Sequence, residues 1–355
     1  MTEQSSAVED RTTIIDITQP TATGSDMTSS SSRGIEFYFQ CAVVVIGVVG
    51  TVSNALILYA LVASKQHKKH VLIFHQNVLD LCSSFLLAIT YSLKLCNFSL
   101  TGSGGYWLCM LILSENIAWC VTVASKVNLM IVTIDRYLKV VHAVWSKNKL
   151  RKWMTYSAMA FAWISGFAQC FPTTFVTSDV IDGMCYAYMI WQSRSAQQAF
   201  GIWTFITFYI VIIFIIIFCY WRILITIRRQ ASVMVSHSGP GPSTAQTQSN
   251  KIQTNVIKTM IIVSTFYAIS DTPMNIYYLL LNSSGNLTLL ESGYYAAMFI
   301  SFFYICANPF IYATKFDPVK DVLRGLNPCM KTPVQPVVST ERQPGTAGPT
   351  VREHR

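Results

Sequence analysis

Charge is what this sequence has least of. Of its 355 residues only 12% are Asp, Glu, Lys or Arg, about half the share an ordinary soluble domain carries on its surface. That shortage excludes a water-soluble globular protein of this length. The first 36 residues lack the charged-then-apolar pattern of a cleaved signal peptide, so the first apolar span is expected to act as its own signal. No segment reads as a soluble catalytic domain, so the chain is not read as an enzyme. No repeat pairs the two halves, which disfavours a transporter built from inverted repeats. Acid is missing altogether between Ser236 and Thr265.

What is present is apolar, 52% of the chain, and it comes in blocks. Seven stretches, near 37–63, 71–95, 107–138, 150–174, 198–228, 252–281 and 293–314, are each long enough to cross a hydrocarbon core, which takes about 20 helical residues. Lipid offers no partner for an unpaired backbone group, so the spans must be helices. The expected fold is an all-α membrane protein, a bundle of seven transmembrane helices. Around the bundle (37–314) the sequence predicts a Ser/Thr-rich disordered tail over 1–36, an amphipathic juxtamembrane helix over 315–327, and a Pro/Thr-rich disordered tail over 328–355. Ser236 to Asn250 reads as a flexible loop.

Lysine and arginine set the orientation. Lys65, Lys68 and Lys69 follow the first span, and Lys139, Lys147, Lys149, Arg151 and Lys152 follow the third. The opposite side has only Lys94 and Arg194 in its loops, and residues 1–36 carry six acids against Arg11 and Arg33. The N-terminus is therefore expected outside, in the plasma membrane. The net charge of +9 is a topology signal and not a nucleic-acid interface. Sequons at Asn97, Asn282 and Asn286 fall in loops assigned outside, where glycans can be added.

Two motifs carry a resemblance. Asp135-Arg136-Tyr137 closes the third span, and Asn308-Pro309-Phe310-Ile311-Tyr312 closes the seventh. With Asn54, Asp80, Ser125, Trp163 and Pro172 they make the chain resemble a rhodopsin-like G-protein-coupled receptor over roughly 37–327. The resemblance implies a receptor that hands an extracellular signal to a heterotrimeric G protein. It implies that Asp135 holds Arg136 at rest. On activation the arginine would swing towards Tyr220, Tyr312 and the G protein, and Pro309 would break the seventh helix so that Tyr312 can move. It also implies a polar core in which Asp80, Ser125 and Asn308 ring a sodium ion beside Asn54; no other cofactor or metal is expected. A disulfide between Cys109 and Cys185 is implied at the outer face, with Cys96 a rival partner. Cys329, just past the amphipathic segment, is a palmitoylation candidate.

The chain also departs from the family pattern. Span six reads Ser270-Asp271-Thr272-Pro273, with Asp271 where a tryptophan switch is usual. Span five lacks its proline, Ile212 standing near that place. Lys126 replaces a bulky apolar residue in span three. An unpaired buried charge is costly, so Lys126 either pairs with Asp271 or reaches Asp80 and displaces the ion. The first is preferred, because neighbouring Ser125 points to the ion side. The acid that often restrains Arg136 from span six is absent. Cys109 also stands two residues farther from Arg136 than is usual, leaving the local register open.

For the ligand, exclusions come first. No lysine lies in 293–314, against a retinal-type ligand, and Ala118 occupies the place where amine receptors carry an aspartate. The pocket candidates are Lys94, Glu115, Asn116, Trp119, Asn275, Tyr278 and Tyr295, a mixture suited to a peptide or small polar ligand. Trp107-Leu108-Cys109 and Tyr277-Tyr278-Leu279 give the general look of the neuropeptide-receptor branch. The rival readings are a seven-span ion or proton transporter using Lys126, Asp80 and Asp271, and a receptor-like protein that no longer signals.

Overall fold

A computed structural model describes residues 26–96, 99–236, 244–284 and 291–326 of the chain. Among them the helices run α1 (Asp26–Ala63), α2 (Val71–Leu95), α3 (Gly102–Leu108), α4 (Asn116–Val141), α5 (Ala143–Lys149), α6 (Lys152–Thr177), α7 (Arg194–Phe205), α8 (Val211–Ser236), α9 (Thr244–Ser284), α10 (Glu291–Lys315) and α11 (Asp317–Leu326). Each expected span is present. The third is built of α3 and α4 and the fifth of α7 and α8, each joined through a π-helical turn. The fold is an all-helical seven-transmembrane bundle.

Helix α4 is the central post, packed on α2, α6 and α8, while α1 lies against α2 and α10, and α9 against α10. Small residues allow the close approaches: a Cβ on Gly166 of α6 would collide with the backbone carbonyl of Cys120 on α4, and one on Gly50 would lie 2.7 Å from Cys306 Sγ. The outward faces stay apolar. Phe214, Ile217 and Trp221 on α8 and Ile164 on α6 are more than half exposed, as lipid-facing side chains should be.

Five helical segments among the described residues, Gly34–Ala63, Val71–Leu95, Gly102–Val141, Arg194–Gln230 and Gly293–Lys315, are long and apolar enough to cross a membrane. Helices α6 and α9 fall short of that apolarity. Helix α9 spends inward positions on Thr259, Ser264, Ser270 and Asp271, and α6 carries Ser165, Gln169 and Thr173.

The two surplus residues before Arg136 have a structural answer. The third span is interrupted: a π turn over Cys109–Leu113 winds in one extra residue, and Glu115 takes a left-handed conformation (φ 60°) before α4 starts. The outer cysteine and the inner arginine therefore both keep their places. Span five has a π turn too, over Ile206–Ile210, without a proline. Pro309, expected to break the seventh helix, lies inside a continuous α10. The lost hydrogen bond does not end the helix.

At the outer face a short hairpin, β1 (Asp179–Ile181) and β2 (Met184–Tyr186), turns through Asp182 and Gly183, both at positive φ, as a two-residue turn requires. Cys185 on β2 is bonded to Cys109, so the hairpin is tied to the top of span three. Cys96 is free and exposed. Asn97, Asn286 and Cys329 lie outside the described residues. Asn282 is a correction. It is 4% exposed, donates to the Tyr278 carbonyl at 2.8 Å and packs against Gly201, which leaves no space for a glycan there.

Candidate functional site: a polar core on three levels

The outer level is built on the irregular start of α4. Left-handed Glu115 turns its carboxylate towards α2, where Lys94 Nζ pairs with Oε1 and Tyr91 Oη donates to the same oxygen at 2.8 Å. Lys94 also stands 4.7 Å from the Tyr91 ring centroid. Glu115 Oε2 and Asn116 Nδ2 are buried without a hydrogen-bond partner among the described residues. An aromatic cluster adjoins them: Trp119 leans on Phe302 at 5.7 Å and Tyr295 on Phe39 at 4.9 Å. Tyr278 is outside that cluster. An apolar groove of about 380 Å³ bounded by Val48, Val52, Phe85 and Ile89 is separate from this level, on the α1–α2 face.

The middle level holds two carboxylates with separate partners. Lys126 Nζ lies 2.8 Å from both oxygens of Asp271. Ser301 Oγ donates to Oδ1 at 2.9 Å and Asn275 Nδ2 to Oδ2 at 2.6 Å. The preferred pairing is the one found, and Asn275, a candidate ligand contact, is part of it. Asp80 has no lysine. Its Oδ1 accepts from Ser125 Oγ (2.7 Å) and Gln76 Nε2 (3.1 Å), and its Oδ2 from Asn308 Nδ2 (2.9 Å). The Gln76 amide also donates to Ser125 Oγ at 2.5 Å. A sodium ion needs oxygen lone pairs turned inward, whereas here amide hydrogens are turned on the carboxylate. These residues do not fit the ion. The obstacle is Gln76 and not Lys126. Asn54, expected in this group, instead donates to the Gly50 carbonyl of its own helix at 2.9 Å.

The direction of the bonds that lead to the Gln76 amide follows from one indole. Trp163 Nε1–H can only donate, and it donates to His75 Nε2 at 3.0 Å. The imidazole therefore carries its hydrogen on Nδ1 and gives it to Asn128 Oδ1 at 2.9 Å. Asn128 Nδ2 donates to Gln76 Oε1 at 2.8 Å, which turns the Gln76 amide towards Asp80. A relay thus runs Trp163, His75, Asn128, Gln76, Asp80, joining α6, α2 and α4, and Asn308 brings in α10. His75, Gln76 and Asn128 did not stand out in the sequence. The signal was there: polar side chains within apolar spans, expensive in lipid.

At the inner level the expected pair of Asp135 with Arg136 is present but long, and Asp135 is shared with Lys139. Asp135 Oδ2 accepts from Lys139 one turn along α4 at 2.8 Å, and its distance to Arg136 Nε is 3.8 Å. That Nε has no hydrogen-bond partner among the described residues. Arg136 instead reaches His70, Nη2 to Nδ1, at 3.2 Å. Tyr220 Oη sits between Thr133 and Ser264, 3.3 Å from each. Tyr312 is 1% exposed, its hydroxyl without a hydrogen-bond partner among the described residues, and Tyr137 Oη meets His142 Nε2 at 3.1 Å.

A model of the rhodopsin family of 7 transmembrane receptors matches residues 53–312. The chain is also 25% identical to G-protein coupled receptor 15 of Mus musculus over 301 residues, 81% of this chain and 78% of that relative. The matched region takes in both end-of-span motifs, the disulfide-bonded outer face and all three polar levels. The chain belongs to the rhodopsin family of seven-transmembrane receptors: a multi-pass membrane protein with G-protein-coupled receptor activity, and not an enzyme.

Proposed function

We propose that this receptor sits in the plasma membrane with its N-terminus outside and is switched by a peptide ligand at the outer level of the bundle. The observation that carries the ligand reading is the pair of buried, unpartnered groups side by side, Glu115 Oε2 and Asn116 Nδ2. One wants a donor and the other an acceptor. A peptide offers both along its backbone, and aromatic side chains of the ligand have Trp119 and Tyr295 to pack on. The local cation Lys94 already occupies Glu115 Oε1, which disfavours a small monoamine as the whole ligand.

Transmission would run through Asn275. Its side chain is bonded to Asp271, so a ligand that moves it pulls on the Lys126–Asp271 pair between α4 and α9. The ligand then acts by population shift, binding one packing of the bundle better than the other. At the inner face Arg136, Tyr220 and Tyr312 with the Asn308–Tyr312 motif form the G-protein coupling machinery.

The test is nucleotide exchange on the main G-protein classes in membranes, wild type beside Arg136→Ala, with peptide and amine collections as stimuli. A peptide response in wild type that is lost in R136A, and lost for ligand potency in Glu115→Gln, supports the reading. Responses to amines alone would overturn the ligand class, and no exchange under any stimulus would favour a receptor that no longer signals.

A further inference from the structure

His70 lies between the first two spans, immediately before α2, where no motif singles it out. It is nevertheless in direct contact with the buried arginine of span three. Arginine only donates, so His70 Nδ1 must be the acceptor of the 3.2 Å bond from Nη2 and the ring must be neutral, with its hydrogen on Nε2. Asp135 is shared, 2.8 Å from Lys139 Nζ but 3.8 Å from Arg136 Nε, and span six contributes no acid between Ser236 and Thr265. We propose that His70 is the positioning residue that holds Arg136 at rest, and that a proton taken up by His70 releases it.

The surroundings support the second half of that statement. The charged groups facing His70 are Arg136 and Lys139 from α4 and Lys69 from its own loop. From the α10–α11 corner it meets the Phe316 ring, edge to face at 6.0 Å. Burial comes first and the three cations next in holding the imidazole down at about 3. The sign follows from linkage. The depressed value belongs to the resting state, so that state binds fewer protons. Arg136's departure removes one of those causes, and the imidazole rises towards its ordinary value of about 6.5. Acid therefore favours the released state. At the limit of full recovery the release ratio rises by a factor of about 4 on going to pH 6 and about 10 at pH 5.5, and it changes little above pH 7.

The inference rests on Arg136 acting in G-protein coupling, so the experiment needs two readouts. One is basal nucleotide exchange in membranes at matched receptor amount. The other is the separation of the inner ends of α5 and α9, read by spin labels on introduced ketone-bearing residues at the exposed Lys147 and Lys258, which leaves native thiols alone. Both are followed from pH 7.5 to 5.5 at the inner face in wild type, His70→Ala, His70→Gln and Arg136→Ala. H70A is expected to raise the released fraction about tenfold at neutral pH, the scale of one charge-assisted hydrogen bond. H70Q keeps an acceptor that does not titrate, so its acid response should be flat where wild type rises. A wild-type spin-label response that H70Q abolishes, with no exchange in any variant, would keep the latch and sink the coupling. An H70A released fraction equal to wild type in the spin-label signal overturns the latch. Equal acid responses in wild type and H70Q overturn the proton release.

Discussion

Removing the cation of the middle level should unbalance the bundle more than any other single change there. Asp271 is 1% exposed and accepts from Lys126, Asn275 and Ser301. Lys126→Met leaves the carboxylate in the interior with two neutral donors. Breaking a buried pair by deleting one partner costs roughly 3–5 kcal/mol. The lower end, about 3 kcal/mol, is expected because the two remaining donors stay in place. Asp271→Leu strands the ammonium, whose side chain is 10% exposed, and should cost about the same. The double change Lys126→Met with Asp271→Leu removes both charges and, by the same reasoning, should recover most of either loss. The assay is unfolding of purified receptor in lipid–detergent particles, read by a thiol-reactive dye. Cys120, Cys170, Cys219 and Cys306 are buried and become reactive only as the bundle opens. A cycle in which the single losses simply add, with coupling under about 0.5 kcal/mol, would refute a direct pair. The double variant, stable yet without its link between α4 and α9, should also respond weakly to ligand.

Three further outcomes follow from particular contacts. Exchanging sodium for a bulky organic cation at constant ionic strength should leave basal nucleotide exchange unchanged, since amide hydrogens face Asp80; a sodium-dependent shift in wild type would contradict that geometry. Asn282→Gln should leave the electrophoretic shift on deglycosylation as it is in wild type, because that side chain is buried against Gly201; a smaller shift would reverse the correction made above. The ¹⁵N spectrum of labelled receptor should show His75 protonated on Nδ1, and Trp163→Phe, which removes the donor to Nε2, should populate the other tautomer and cost about 1 kcal/mol; a wild-type Nε2–H signal would mean the relay runs the other way.

The bundle was legible because its cause is a composition signal. Lipid demands about 20 apolar residues per span, and the blocks are long enough to count. The Asp135–Tyr137 and Asn308–Tyr312 motifs were legible through the resemblance, as a pair closing the third and seventh spans. The Lys126–Asp271 pair could be argued from cost alone, since two opposite charges at similar depth need each other. What stayed hidden depended on fine backbone geometry or on contacts between distant loops. A π turn and a left-handed Glu115 absorb two residues, and no pattern in Cys-Met-Leu-Ile-Leu announces them. Gln76 fills the place the resemblance gives to an ion, but a glutamine in a span says nothing of which neighbour its amide will face. That was fixed by Trp163, three contacts away. His70 belongs to a loop, where periodicity is silent.

These departures share a pattern. The residues that usually restrain the sixth span are a tryptophan in its middle and an acid at its inner end. This chain has neither, and its substitutes lie on or against α4. Lys126 reaches out from α4 to Asp271. Arg136 is held on the far side by His70, and Asp135 by Lys139 of the same helix. Among the described residues the inner half of α9 is tethered without an ion pair: Ser264 meets Tyr220 at 3.3 Å, and Asn255 Nδ2 donates to the Asp317 carboxylate of α11 at 2.6 Å, the second of them exposed. A neutral hydrogen bond contributes about 1 kcal/mol and one to a carboxylate about 2 kcal/mol, whereas deleting one partner of a buried ion pair costs roughly 3–5 kcal/mol. The resting bundle is therefore held shut mainly at mid-depth, by one ion pair, and locked at the inner face by one neutral histidine. Weakening either should raise basal signalling, and weakening both should do so beyond the sum only if α4 moves as one rigid post.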